Sequence, residues 1–313
     1  MSHLGYRAYA KVNLTLEVIR RRNDGYHDIA SVVHTISLAD EVQFELASSL
    51  SSHVEGLDIS TETNLVTRAA RLLAATAHVP PTAELRLVKR IPSAAGLGGG
   101  SSDAATTLVG LNILWGTRLP TSNLARLAAT LGSDVPFFVN GGAALMTARG
   151  EHLEVLPPLG GQWLILVAPG HAVGSKTALL YSALEPTDFS SGALTERAAA
   201  RLRQRLPLSE EHLFNVFARA AQRVFPGLHD AWSAAERICD RRFFLSGAGP
   251  ALFALALDRD DARRQQASLA RSGMSAFAAR TVRRARNPLR FRPALPSRTL
   301  KRDPSARCLV VQW

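Results

Sequence analysis

The sequence predicts an α+β protein in which strands and helices mix along the whole chain. Three observations carry that expectation. Apolar residues alternate with a period of two in 6–19, 29–46 and 83–91. Helical spacing returns in 61–76, 101–114, 121–132 and 259–273. Between one strand and one helix lies "GLGGG", residues 96–100, with four glycines in five positions. Glycine weakens an element and suits places where the backbone takes an unusual shape or closely approaches something.

Each element follows from local chemistry. Residues 6–19, "YRAYAKVNLTLEVI", alternate as a strand, and "RRRNDGYH" is a charged turn around Asp-Gly. Residues 29–46 alternate again, as two strands broken near Ala39 and Asp40. The serine-rich 47–61 reads as loop. A helix over 61–76 is capped by Thr63 or Asn64. "AELRLVKRI" is a strand closed by Pro92. After the glycines a helix starts at Ser101 or Ser102 with Asp103 in its first turn, and the next helix stops at Gly132. "PFFV" and "GAALMTA" read as strands, and "QWLILVAP" is the most strand-like run in the chain. Helical periodicity recurs in 192–205, 211–224 and 228–238, and "RRFFLSGAGPALFALALD" reads as strand, glycine turn, strand. No internal repeat is present.

A chain of 313 residues supports one large domain or two moderate ones, with a soft boundary near 155–165. Its 46% apolar and 20% charged residues are a soluble globular mix. "MSHLGYRAYAKVNL" has no apolar h-region, and no apolar run reaches the roughly eighteen residues a membrane span needs. Cys239 and Cys308 make neither a disulfide framework nor a metal site, and they fit a reducing cytoplasm. Of the net charge of +11, residues 280–307 carry +9, so the body of the protein is nearly neutral. The Pro- and Arg-rich 280–313 reads as an irregular, solvated tail, the one place where contact with nucleic acid or an anionic surface is expected.

Strand, glycine turn and helix start together make a device for holding an anion. Unpaired N–H groups at the helix start converge on one spot and the helix dipole adds to the field. Gly96, Gly98, Gly99 and Gly100 let the chain wrap a phosphate, and Ser101 and Ser102 add hydroxyls. The alternative is a flexible connector. No lysine follows in Walker A position, and residues 116–126 lack the acid of a dinucleotide fingerprint. No kinase HRD or DFG signature, HExxH, cysteine cluster or GxSxG elbow appears.

Phosphoryl transfer needs phosphates held and an acceptor hydroxyl aligned with a proton acceptor. Asp134 in "LGSDVPFFV" is a candidate base, or an Asx turn or cap. Lys11 lies in a mostly apolar strand, either partnering a carboxylate or pointing to water from an edge. Asn13 and Thr15 share its side of the strand, which favours a site face. Tyr26 and His27 suit stacking and base-edge hydrogen bonds, but alone they read as an exposed hairpin pair. Gly247 and Gly249 in "LSGAGPALFAL" form a second glycine turn able to present amides to an anion.

Taken in order, "AKVNLTLEVIRRRNDGYH", "PSAAGLGGGSSDAA", "LGSDVPFFV" and "SGAGPALFAL" resemble the GHMP small-molecule kinases over roughly residues 7–275. "DGYH" and the acid of "SDVPFF" resemble the branch acting on a cytidine-diphosphate-linked polyol. The resemblance implies the GHMP kinase fold: an N-terminal domain like ribosomal protein S5 domain 2, with a left-handed βαβ crossover, and a ferredoxin-like C-terminal domain. With the soft boundary, this gives domains 1–158 and 159–279 before the tail. It also implies transfer of the γ-phosphate of ATP, with Mg²⁺, to the 2-hydroxyl of 4-diphosphocytidyl-2-C-methyl-D-erythritol in non-mevalonate isoprenoid biosynthesis.

By motif match, Asp134 is the implied base and Lys11 its neighbouring lysine. Asn13 is implied in the substrate pocket, and Tyr26 and His27 as the cytidine-recognising pair. Ala95, Gly96, Leu97, Gly98, Gly99, Gly100, Ser101, Ser102 and Asp103 match the ATP phosphate loop, and Gly247 and Gly249 the third motif. Ala248 stands where that motif usually has serine or threonine, and Val216 replaces an acid after Asn215. The implied partner is the small-molecule substrate, with no membrane, in a monomer or homodimer. The rivals are a homoserine or mevalonate kinase, against which Tyr26 and His27 argue, and a nucleic-acid-binding module.

Overall fold

In the computed structural model, which describes residues 3–56, 64–170 and 176–283, a single twenty-residue strand organises the first half. This strand, β3 (His27–Leu46), runs unbroken through Ala39 and Asp40, where two strands were expected. Along one edge it pairs antiparallel with β1 (His3–Asn13) and then β2 (Thr15–Arg21), which meet at a break at Leu14. Along the other edge it pairs antiparallel with β5 (Ala83–Val88) and β6 (Ala143–Ala148). β4 (Ser51–Glu55) lies parallel to β5, and β7 (His152–Leu156) antiparallel to β6. β4 falls inside the expected loop: its serines masked a strand whose pairing comes from β5, with Ser52 Oγ and Thr67 Oγ1 2.9 Å apart beneath it.

Helices α1 (Leu65–Ala77), α2 (Gly99–Leu114), α3 (Thr121–Leu131) and α4 (Val135–Asn140) cover the β1–β3 part of this sheet. Asn64 caps α1 through Oδ1, 3.1 Å from the Val66 amide. α2 lies between the sheet and α1, α3 and α4, so its sides are apolar. It begins at Gly99, two residues before the expected start, and Gly98 precedes it in the left-handed region. α4 corrects the "PFFV" strand. Pro136 sits in its first turn, where a missing N–H costs nothing, and residues 135–139 are all buried against neighbouring helices, which overrides their β propensity.

The second sheet is built from β8 (Trp163–Val167), β10 (Phe244–Leu245), β11 (Leu252–Leu255) and β12 (Ala276–Arg280) in the order β10-β11-β8-β12, all antiparallel. With α8 (Leu228–Cys239) and α9 (Arg259–Arg271) in its two crossovers, this is ferredoxin-like topology. Also in this half, α5 (Lys176–Ser182) begins the first crossover and α6 (Ala193–Arg203) packs on β2 and β3.

The helix expected over 211–224 is instead the short strand β9 (Phe214–Asn215), parallel to β2, followed by α7 (Ala218–Val224). Asn215 explains the break. Its Nδ2 donates to the Leu245 and Gly247 carbonyls, each at 2.9 Å, and its Oδ1 accepts from the Phe217 amide at 2.9 Å. Val216 is buried in the core of the second half. The start of the expected tail is ordered: Arg280 ends β12, Thr281 bridges to Ile36, and the Val282 amide donates to the Thr35 carbonyl at 3.0 Å. The rest of that tail, 284–313, lies outside the described residues. Among the described residues no helix is long and apolar enough to cross a membrane.

Candidate active site

The break at Leu14 shapes one wall of a cleft between the two halves. Thr15 is fully buried, and its Oγ1 accepts from the Val32 amide at 2.8 Å, bridging the break. Thr15 therefore leaves the polar face, and Lys11 and Asn13 make the wall. Lys11 is only 5% exposed. Its Nζ donates to Asn13 Oδ1 and lies 3.8 Å from Asp134 Oδ2. Asn13 Nδ2 donates to Ser31 Oγ at 2.8 Å, which fixes the amide. Burial draws the Lys11 ammonium below its ordinary pKa, and Asp134 opposes that shift. Asp134 sits just before α4, its side chain 40% exposed and open to the cleft, with no capping bond. A lysine facing water and a capping aspartate, the two bland alternatives, are thereby replaced by a pair.

The glycine stretch is pinned before it reaches α2. The Leu97 carbonyl accepts from the Lys11 amide at 2.9 Å, and the Ala95 carbonyl from the Ala251 amide at 2.9 Å. Ala95 and Leu97 bury their side chains in the core and act as anchors. Gly96 has φ +85°, and a Cβ there would lie 2.3 Å from the Ser246 carbonyl, so the two glycine turns touch through this residue. Gly98 has φ +71°, and a Cβ there would meet the Phe138 ring at 2.7 Å. No side chain caps α2, so the amides of its first turn, Gly99, Gly100 and Ser101, are free of side-chain partners. Ser101 faces the cleft beside Gly247 and Ala248, while Ser102 turns inward.

Asp103 also turns inward, against its expected place in the phosphate loop. It lies in the second turn of α2 and meets Lys89 Nζ at 2.7 Å. Lys89 also donates to Asp40 Oδ2, while Asp40 Oδ1 accepts from the Arg90 and Ile91 amides at 2.5 and 2.8 Å. Burial pushes Asp103 up to about 8, with Lys89 opposing and Asp40 adding to the shift. Burial works against the Lys89 charge, but the two carboxylates outweigh it and hold that ammonium above its ordinary value. Asp40, Lys89 and Asp103 thus form a buried brace joining β3, the end of β5 and α2 directly below the glycines.

Tyr26 and His27 occupy the far end of the same cleft. Asp24 Oδ1 accepts from the Tyr26 amide at 3.1 Å and sets the turn. Tyr26 is 59% exposed, with the Arg149 guanidinium 5.2 Å from its ring centroid. His27 stacks on Tyr181 at 4.6 Å and 19°, with Phe189 edge-on at 6.1 Å. Burial, and then Arg21, lower the His27 pKa, which favours the neutral ring with its one donor and one acceptor. Burial, with Asp134 adding, pushes the Tyr181 hydroxyl up to about 12. These aromatics share one cavity of about 1070 Å³ with Lys11, Asn13, Asp134, Ser101 and Gly247. Sequence reasoning missed Tyr181, Phe189 and Arg149. Only Tyr181 carried a hint, as a polar-tipped aromatic in an apolar helix.

Known proteins share the sequence and the fold of this chain. GHMP kinases N terminal domain, a protein family, matches residues 64–142, which hold the glycine loop and Asp134. A 4-diphosphocytidyl-2-C-methyl-D-erythritol kinase of Dehalococcoides mccartyi is 40% identical over 277 residues, covering 88% of this chain and 97% of its own. The chain belongs to the 4-diphosphocytidyl-2-C-methyl-D-erythritol kinase family. A crystal structure of a 4-(cytidine 5'-diphospho)-2C-methyl-D-erythritol kinase, 37% identical, superimposes with a TM-score of 0.76 over 88% of this chain and 98% of its own. Homoserine kinase from Cytophaga hutchinsonii, 16% identical, shares the fold at a TM-score of 0.68, over 92% of this chain and 97% of its own. Membership of this family makes the protein a small-molecule kinase of the GHMP fold, an ATP-dependent phosphotransferase.

Proposed function

We propose that the cleft transfers the γ-phosphoryl group of ATP to the 2-hydroxyl of 4-diphosphocytidyl-2-C-methyl-D-erythritol. The observation that carries this reading is the single cavity joining the Tyr26–His27 aromatic corner to the Lys11–Asp134 pair beside the glycine loop. The aromatic end suits a pyrimidine: Tyr26 offers an open ring face, and neutral His27 offers hydrogen bonds to a base edge. The other end suits a polyphosphate, because uncapped amides and the Ser101 hydroxyl face it and an added Cβ would close the loop. Domain 1–158 then carries the phosphate loop and the base, and 159–279 brings up the Gly247–Gly249 turn.

The acceptor is a crowded tertiary alcohol of low acidity. Asp134 orients its hydroxyl and takes the proton as the O–P bond forms and the bond to the ADP oxygen breaks. Lys11, held by Asn13, offsets charge on the transferring oxygens. Asn13 in turn is fixed by Ser31, which keeps the lysine aimed into the cleft. Mg²⁺ bound with the nucleotide would supply charge neutralisation on its phosphates. Among the described residues no group of three carboxylate, histidine or cysteine side chains stands ready to hold the ion; a metal carried by the nucleotide needs none.

An ADP-release assay with purified protein, ATP and Mg²⁺ tests the reading. Turnover is expected with the cytidylyl substrate and none above background with homoserine or mevalonate. Turnover of either rival acceptor in place of the cytidylyl compound overturns it.

A further inference from the structure

Lys176, the first residue of α5, is a cation that the reaction as described does not use. Its Nζ donates to the Ala94 carbonyl and to the Gly249 carbonyl, one from each glycine turn. Among the described residues no carboxylate pairs with it. Its charged neighbour is another cation, Lys11, whose Nζ lies 2.9 Å from where a Gly247 Cβ would stand. The two ammonium groups therefore flank the same turn. Burial, and then Lys11, bring the Lys176 ammonium down to about 8. An ammonium has three N–H bonds, and two carbonyls engage two of them. The third, and a charge that no carboxylate offsets, remain beside the two glycine turns. The next residues of α5, Thr177 and Ala178, line the cleft itself.

We propose that Lys176 is a second phosphate-binding cation of this kinase, engaging a terminal phosphate oxygen of ATP while it ties the two glycine turns together. Like-charge repulsion between Lys176 and Lys11 is relieved when a polyphosphate enters between them, so the site is electrostatically primed for that anion. The inference rests on the reading of the glycine loop as the ATP site.

Its test compares Lys176→Met and Lys176→Arg with the unaltered protein. Steady-state kinetics and calorimetric binding of ATP, ADP and AMP supply the readouts. The expected result for Lys176→Met is a tenfold or greater rise in KM for ATP. The KM for the cytidylyl substrate and the affinity for AMP stay within twofold, and Lys176→Arg restores most of the loss. An equal loss for AMP and ATP overturns the proposal, since it would mean that the lysine only holds the turns. A rise in KM confined to the cytidylyl substrate also overturns it, by assigning the lysine to that diphosphate. If methionine unfolds the turns, Lys176→Gln retains a donor to the carbonyls, and wild-type ATP affinity in that variant is equally contrary. Should the unaltered protein reject the cytidylyl acceptor yet bind nucleotides in this pattern, the acceptor assignment fails and the role of Lys176 stands.

Discussion

The brace beneath the glycine loop gives opposite expectations for two aspartates on one lysine. Asp40 accepts two backbone N–H bonds and one from Lys89, so its charge is fully used. Asp40→Asn keeps the shape but turns an amide toward a buried ammonium. Removing one partner of a buried pair costs about 3–5 kcal/mol. Asp103 differs: one of its oxygens is buried without a hydrogen bond, and burial pushes its carboxyl up to about 8. Its charge is therefore far less well satisfied than that of Asp40, and Asp103→Asn should cost no more than about 1 kcal/mol, an ordinary hydrogen-bond increment.

The sign of the pH dependence follows. Between about pH 4 and pH 8 the folded state keeps a proton on Asp103 that the unfolded chain has released. This group's contribution to stability therefore falls as pH rises through that window, by at most about 1.4 kcal/mol per pH unit. Urea unfolding at several pH values, followed by tryptophan fluorescence, measures both effects. Asp103→Asn should stay within about 1 kcal/mol of the unaltered protein at pH 7 and flatten its decline toward pH 8, while Asp40→Asn should lose about 3–5 kcal/mol at pH 7. Equal losses in the two variants at pH 7 would mean that the fold relies on the Asp103 carboxylate as much as on that of Asp40, and the reasoning about the brace would be refuted.

Other perturbations probe the cleft itself. Asp134→Asn should leave the melting temperature nearly unchanged, because its side chain is 40% exposed, and lower kcat by about 10²–10⁴-fold; normal turnover would remove it as the base. Tyr26→Ala should raise KM for the cytidylyl substrate by about tenfold or more, the loss of one stacked base, and leave KM for ATP alone. An equal rise for ATP would rule out stacking. Gly96→Ala places a methyl 2.3 Å from the Ser246 carbonyl at φ +85°, so the turns must separate. Its φ alone costs about 1–2 kcal/mol, and KM for ATP should rise; an unchanged ATP KM would show that contact between the turns is dispensable.

Much of the site was legible because its signals are local. Lys11 and Asn13 share a strand face two residues apart, the glycines stand against a helix start, and Asp-Gly announces the turn before Tyr26. What escaped depends on distant partners. Asp40 resembled a strand break, yet its carboxylate is consumed by amides some fifty residues away, which lets β3 continue through it. "VPFFV" has strand composition, but complete burial between helices made it α4. Asn215 interrupts a helical period because its amide belongs to the Gly247 turn. Lys176 carried no signal, since a lysine opening a helix looks like any solvated cation until its carbonyl partners are seen.

The most direct measurement is a crystal structure with a non-hydrolysable ATP analogue and the cytidylyl substrate together. The account predicts the triphosphate on the amides of Gly99–Ser101, the pyrimidine between Tyr26 and His27, and the 2-hydroxyl hydrogen-bonded to Asp134 in line with the terminal phosphorus. A triphosphate seated away from that loop, or an Asp134 carboxylate out of reach of the hydroxyl, would contradict it.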